Sequence, residues 1–367
     1  MKKSKFYLFL NSFFLFFVSF VFSESTHLNV LHISFHMGCI NEFDQVAKKL
    51  NLNVTTWKVN ELPPYFLDPL KMGNSLYNVD HTSAERIWQT HKDFFNQFDL
   101  IITSDTAPLS RIFLQNHFKK PLIIWVCNRF DYSDGASNDG SFPDTEYYQL
   151  IRRAKNLSNV KVISYTPFEH HYASKYRNIN TWNQTIKPTG LGEKNAFKKS
   201  SVPTYVDKKK CFFIPPYHND TKFINLSEKL NQLGIENYRG EYAGPNDLKD
   251  FKGIIHIPYA WSNLALFENA SLGLIYFIPS LPFLLQLSKQ HNFFWSPPFD
   301  AQLLSVSEWY NPQYKNLFVF FDSWQDLKEK IYSTNFSEKK KIILNFSKQH
   351  QREMLNKWRK LISQLLN

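Results

Sequence analysis

Short apolar runs recur along this chain, each ending at polar residues or glycine. Leu28–Phe35, Asn53–Val59, Asp99–Thr103, Pro121–Cys127 and Val160–Tyr165 have the composition of buried strands. Between them, Asn41–Leu50, Ala84–Phe98 and Ser110–Asn116 carry apolar residues at three-four spacing, and another helix opens near Pro167–Glu169. Strands that alternate with helices predict a parallel α/β sheet. Thr181–Asp207 is poorer in apolar runs and holds Pro188, Gly190, Gly192 and Pro203, so it predicts an interdomain linker. The pattern then restarts. Cys211–Ile214 is a strand, Thr221–Leu233 a helix ended by Gly234, and Tyr238–Tyr242 follows. Pro282–Gln290 and Trp324–Tyr332 are helical, and Leu317–Phe321 is a strand. Glu338–Leu366 is long and amphipathic, with Ile342, Ile343, Phe346, Met354, Leu355, Trp358 and Leu361 as its apolar positions.

The second half centres on Phe251–Ser280. Gly253–Pro258 is a buried strand rich in isoleucine, and Ser262 or Asn263 can cap the helix beginning at Leu264. Gly273 stands where a helix-ending glycine belongs, and Leu274–Ile278 is the next buried strand. This is a parallel crossover whose helix N-terminus points into a crevice. Glu268 lies in that helix among Leu264, Leu266, Phe267 and Leu272. Two readings stand: a carboxylate that holds ligand hydroxyls, or a solvated helix glutamate.

Composition narrows the class. At 367 residues, with 43% hydrophobic and 17% aromatic content, the chain can bury two ordinary cores. A formal charge of +11 favours anionic ligands, but no nucleic-acid-binding signature accompanies it, so no nucleic-acid partner is expected. The lysines at 208–210 and 339–341 read as solvated faces. Cys39, Cys127 and Cys211 have no zinc-ligand spacing, and no metal site is expected. Cys39 and Cys127 each lie at a strand end and can approach one another.

Residues 1–23 place Lys2, Lys3 and Lys5 before an apolar run from Phe6 to Phe22, with small residues Val21 and Ser23 suited to cleavage. This reads as a signal peptide, or, if retained, as a short membrane anchor. Either way the rest is expected in the lumen of the secretory pathway or outside the cytoplasm, at a Golgi- or ER-type membrane if the segment is kept. Eight N-x-S/T sequons follow, at Asn53, Asn156, Asn183, Asn219, Asn225, Asn269, Asn335 and Asn345.

Ligands of open parallel sheets bind at strand carboxyl ends. That rule selects His36, Gly38, Asp105, Asn128, Arg129 and Asp131 from the first half, and His218, Lys222, Ser262, Asn263 and Glu268 from the second. Each has a plain alternative: His36 simply ends a strand, Asp105 caps a helix near Ala107, Lys222 is a surface lysine, and Arg129 pairs with Asp131.

The stretch around Glu268 resembles the donor-binding motif of GT-B-fold glycosyltransferases. Glu268, then Gly273 five residues on, then the apolar run Ile275–Ser280 follow that motif's order. The glutamate found eight residues earlier in the commonest retaining version is here Ala260, which leans the expectation towards inversion. The resemblance implies two Rossmann-like domains facing a cleft, here 24–190 for the acceptor and 191–337 for the donor, with residues 338–367 a helix crossing back to the first domain. It implies a sugar transferred from a nucleotide-sugar co-substrate to a hydroxyl of a glycan, lipid or protein, without a cofactor. Glu268 would bind the ribose, with Ser262, Asn263, Lys222, His218 and Gly38 around the donor. His36 would act as base with Asp105 as its partner. Asn128, Arg129 and Asp131, with Arg111, would contact acceptor or phosphate. The absence of a DxD triplet fits the metal-independent plan. The rival expectations are a secreted two-lobed protein that captures a sugar or anion without catalysis, and a sugar-nucleotide epimerase of the same fold.

Overall fold

The computed structural model describes residues 28–58, 79–127, 129–132, 145–180, 184–192, 200–216, 224–258, 261, 263–291, 304 and 306–366. Residues 1–23, read from the sequence as a signal peptide or anchor, lie outside these residues. No helix among the described residues is long and apolar enough to cross a membrane.

Two parallel sheets organise the chain. The first contains β1 (Asn29–Ser34), α1 (Met37–Leu50), β2 (Asn53–Lys58), α2 (His81–Phe95), β3 (Leu100–Asp105), α3 (Arg111–Gln115), β4 (Leu122–Val126), α4 (Thr145–Ala154), β5 (Val160–Ser164), α5 (Pro167–Arg177) and β6 (Gln184–Thr185). The second contains β7 (Phe212–Ile214), α6 (Leu226–Gln232), β8 (Asn237–Arg239), β9 (Gly253–Ile255), α7 (Leu264–Ser271), β10 (Tyr276–Pro279), α8 (Leu281–His291), β11 (Phe318–Phe321), α9 (Trp324–Ser333) and α10 (Phe336–Leu366). The strand orders are β2-β1-β3-β4-β5-β6 and β11-β10-β9-β7-β8, with every pairing parallel. Both sheets are therefore doubly wound, and both reverse direction between their first and third strands.

Local chemistry explains several boundaries. The helix after β1 begins at Met37 rather than Asn41, because the His36 ring caps it by accepting from Gly38 N. Asp80 does the same for α2, accepting from Ser83 N, so that helix starts before Ala84. Thr145–Ala154 is helical although its pattern is not apolar enough to predict it. Tyr147, Tyr148 and Ile151 supply its buried face. The expected linker contributes β6, so the first sheet extends into it. In the central unit α7 spans Leu264–Ser271 as the pattern predicts, and Gly273 adopts φ +73° after it.

The last helix joins the two halves. Across its 31 residues, α10 runs about 47 Å. Ile343, near its start, lies in the larger core, which includes the second sheet. Met354, Trp358, Leu361, Ile362 and Leu365, near its end, lie in a core built on Val30, Phe43, Val46, Ile102 and Trp125 of the first sheet and α1. Trp358 is fully buried, with its ring edge-on to Trp125 at 5.2 Å and to Phe43 at 5.4 Å. The two Rossmann-like domains and the helix that crosses back make up the GT-B-like plan implied by the resemblance.

Trp358→Ala removes the largest side chain that α10 inserts into the first domain. A loss of about 3–5 kcal/mol is expected, read as a lower urea midpoint with the slope unchanged.

Candidate functional site

A sheet that reverses its winding leaves a crevice at the carboxyl ends of the strands flanking the reversal. In the first domain those strands are β1 and β3, followed by His36–Cys39 and by Asp105. In the second they are β7 and β9, followed by Pro215 and by Ile257, Pro258 and Trp261. The two crevices face each other. A Cβ added to Gly38 would lie 2.7 Å from Leu264 Cδ1, so the start of α1 meets the start of α7 in close contact. Trp261 stacks on Phe168 of α5 at 4.4 Å and 11°.

His36 is exposed at the mouth of this junction. Its Nδ1 accepts from Gly38 N at 3.1 Å. A hydrogen bond with the Cys39 thiol raises its pKa, against burial, which lowers it. With Nδ1 accepting, the neutral ring carries its proton on Nε2. Asp105 is buried and has φ +83°, a left-handed conformation that a non-glycine residue adopts at a cost of about 1–3 kcal/mol. Its carbonyl accepts from Cys127 N at 2.8 Å. Cys39 and Cys127 do approach, as free buried thiols. The neighbouring Cys127 thiol and then burial push the Cys39 thiol well up, and the Asp105 charge adds to the effect. Cys39 thus interacts with both His36 and Asp105.

On the opposite side, Asn263 caps α7, its Oδ1 accepting from Ala265 N at 2.9 Å. That engagement is the structural alternative to a donor contact. Glu268, one turn further on, is half-buried. Its carboxylate makes no hydrogen bond among the described residues. Burial, and then the neighbouring Glu42 carboxylate, push its pKa up to about 7. A Cβ on Gly192 would sit 3.1 Å from Glu268 Oε1, so the first-domain segment ending at Gly192 passes directly over this carboxylate.

That segment, Ile186–Gly192, is held from every side. Trp125 Nε1 donates to Ile186 O at 3.3 Å. Lys187 Nζ pairs with Glu308 Oε1 at 2.8 Å, both buried, and lies 4.6 Å from the Tyr314 ring centroid. His350 of α10 donates from Nε2 to Pro188 O at 2.8 Å while its ring stacks on Phe267 of α7 at 4.5 Å and 9°. Burial lowers the His350 pKa to about 4, so the ring is neutral and Nε2 carries the proton. Thr189 N donates to Glu42 Oε1. Gly190, at φ +70°, lies so close to Phe267 that a Cβ would overlap the Phe267 carbonyl. The expected linker is therefore a wedge between the domains.

The other sequence candidates fall elsewhere. Asp131 is buried in an ion pair with Arg177 and accepts from Tyr148 Oη at 2.8 Å, so its carboxylate is engaged in the interior. Arg111 is buried against Glu146 and Gln115. His218, Lys222, Asn128 and Ser262 lie outside the described residues, as does the side chain of Arg129. No group of three or more His, Cys, Asp or Glu among the described residues is placed to hold a metal ion. Sequence reasoning missed Glu42, Lys187, Glu308 and His350. A signal for Glu42 was present: it shares the helical face of Cys39, Phe43 and Val46. Nothing in the sequence marks Lys187 or Glu308.

No family model matches the sequence, and no curated protein matches it. Three solved structures are similar in chain course. Arabidopsis thaliana UGT89C1, complexed with UDP-L-rhamnose, has 10% identity and a TM-score of 0.48, over 94% of this chain and 100% of that one. LpCGTa in complex with UDP has 9% identity and a TM-score of 0.47, over 93% and 99%. The DNA-modifying enzyme beta-glucosyltransferase, solved with and without uridine diphosphoglucose, has 11% identity and a TM-score of 0.43, over 92% and 99%. Likenesses of this extent leave the reading of the site to the chain's own residues.

Glu268 titrates at about 7 when folded and near 4.5 when unfolded. A raised carboxyl pKa gives stability below the unfolded value, and that stability is lost as pH rises through the folded one. Glu268→Gln should therefore raise the Tm at pH 8 by about 2–8 °C and leave it unchanged at pH 4. An equal effect at both pH values would show that Glu268 is not the titrating group. Gly190→Ala should lower the Tm at every pH, because it combines a left-handed backbone with overlap at Phe267.

Proposed function

We propose that this chain is a glycosyltransferase. It moves a sugar from a nucleotide-sugar donor to a hydroxyl of a glycan, lipid or protein acceptor. The observation that carries the reading is Glu268: a half-buried carboxylate with open acceptor positions, on the switch-point helix of the second domain, facing the first domain across Gly192. A carboxylate with two open oxygens suits a vicinal diol, which a ribose offers. The α7 N-terminus and the neighbouring loop would face the diphosphate. His218 and Lys222 are the proposed sources of positive charge.

In the transfer, the acceptor oxygen attacks the anomeric carbon and the bond from that carbon to the diphosphate breaks. The electron pair leaves with the diphosphate, and the acceptor proton goes to a base. His36, exposed at the mouth, is the proposed base. For Nε2 to accept that proton, the ring must shed its Nε2 proton, which requires Nδ1 to exchange the Gly38 contact for a proton. Asp105, joined to the same cluster through Cys39, is the proposed carboxylate that would steady the charged ring. An in-line attack at the anomeric carbon inverts it. Asn128 and Arg129 are proposed for acceptor or phosphate contacts, and the lumen of the secretory pathway as the place of action.

One observation favours a second reading. The Nδ1 of His36 is engaged as the cap of α1, which suits a two-lobed protein that captures a sugar or anion without turnover.

A thermal-shift screen of residues 24–367 against UDP, GDP, CDP, ADP and their sugars separates the two. At one hundred times Kd a donor adds about 2.7 kcal/mol. A shift with one nucleotide diphosphate that is lost in Glu268→Ala is the expected result. A shift with free sugars or simple anions alone would move the assignment to the binding protein. Because a charged carboxylate binds hydroxyls more strongly than a neutral one, donor affinity should fall as pH drops through about 7, and this dependence should vanish in Glu268→Gln.

A further inference from the structure

The sequons differ sharply in what the fold does with them. A glycan is bulky and must stand in solvent, and the third residue of the tripeptide must present its hydroxyl. Asn269 fails on the first count. It is buried on α7, with Nδ2 donating to Tyr276 Oη at 2.7 Å. Asn53 lies in β2, its Nδ2 donating to Asn29 Oδ1 at 2.7 Å. Asn225 caps α6 and donates from Nδ2 to Glu228 Oε2 at 3.0 Å, while the hydroxyl of Ser227 is engaged by Asn237. Asn335 uses its Oδ1 to cap α10, accepting from Glu338 N at 3.2 Å. Asn345 sits in the middle of α10, and its Ser347 is buried. Asn183 and Asn219 lie outside the described residues.

Asn156-Leu157-Ser158 is different. It forms the turn between α4 and β5, anchored by Asn156 N donating to Arg153 O at 2.9 Å. All three residues are exposed, Leu157 at 43%. The side chains of Asn156 and Ser158 make no hydrogen bond among the described residues. The turn lies at the amino end of β5, and the ligand crevice opens at the carboxyl end, so a substituent there would leave the crevice clear.

We infer that Asn156 is a site of N-linked glycosylation. The carboxamide nitrogen of Asn156 forms a bond to C1 of the reducing-end sugar of a lipid-diphosphate oligosaccharide. The C1–O bond to the diphosphate breaks and its electron pair leaves with the lipid diphosphate, while the amide proton passes to a base of the transferring enzyme. No oxidant or reductant takes part. The inference depends on the leader delivering the chain to the lumen, and it stands apart from the sugar-transfer reading, since a chain of any activity can carry such a glycan.

The test expresses the full chain, residues 1–367, in a eukaryotic secretory cell. Peptides are then mapped after enzymatic removal of N-glycans in heavy-oxygen water, which marks each formerly occupied Asn as labelled Asp. The expected result is a labelled Asp at 156, an unlabelled Asn269, and loss of one glycan's mobility step in both Asn156→Gln and Ser158→Ala. An unlabelled Asn156 overturns the inference, whether other sequons are labelled or none is. If a heterologous leader restores the label that the native chain lacks, the turn is competent but the protein's own leader does not bring it to the transferring enzyme, and the inference fails for the natural chain.

Discussion

The arrangement of the two domains rests on one buried ion pair and the wedge it anchors. Lys187 and Glu308 come from different domains, lie 2.8 Å apart and are both out of water. A pair of this kind contributes little net stability, because desolvating two charges offsets much of their attraction. Its force is in specificity: losing either member strands the other charge in the interior, at about 3–5 kcal/mol. Any relative placement of the domains that separates these groups meets that penalty. The contacts of Thr189 with Glu42, and of Pro188 with His350, extend the constraint along the same strip of chain.

The wedge also sets the electrostatics of the crevice. Passing Gly192 over Glu268 shields that carboxylate, and Glu42 beneath the wedge adds a second negative group. Together they keep Glu268 partly protonated near neutral pH. The same strip thus joins the domains and tunes the group on which the functional reading turns. His350 has the opposite dependence. Held neutral by burial, it loses its contribution as pH falls below the ordinary histidine value and through about 4. The junction is squeezed from both sides, by charging of Glu268 at high pH and of His350 at low pH.

On the first domain's side, order comes from the chain's own caps. Capping α1 fixes the His36 Nδ1 as an acceptor, whereas the proposed role of general base would need Nδ1 as a donor. The strained backbone at Asp105 lies across the same loop cluster, with the Cys39 and Cys127 thiols between them. A rearrangement that frees Nδ1 would remove a cap worth about 1 kcal/mol.

Much of the fold was legible in the sequence because its signals are local. Runs of isoleucine and valine, helix caps and the glycine after Ser271 depend on neighbours a few residues away, and they gave the alternation of strands and helices, the central crossover and the amphipathic last helix. Glu268 stood out for the same reason, as a charge among apolar helix positions. Contacts between distant segments carry no such mark. Nothing near Lys187 in the chain announces Glu308, 121 residues on. Asp131 reads as a polar strand-end residue whether it meets a ligand or Arg177. The sequence by itself determined which elements form and which faces they bury, because periodicity and capping are properties of adjacent residues. Only the tertiary structure decided which polar groups are left open to a ligand, because that depends on which buried partners the folded chain brings within hydrogen-bond distance.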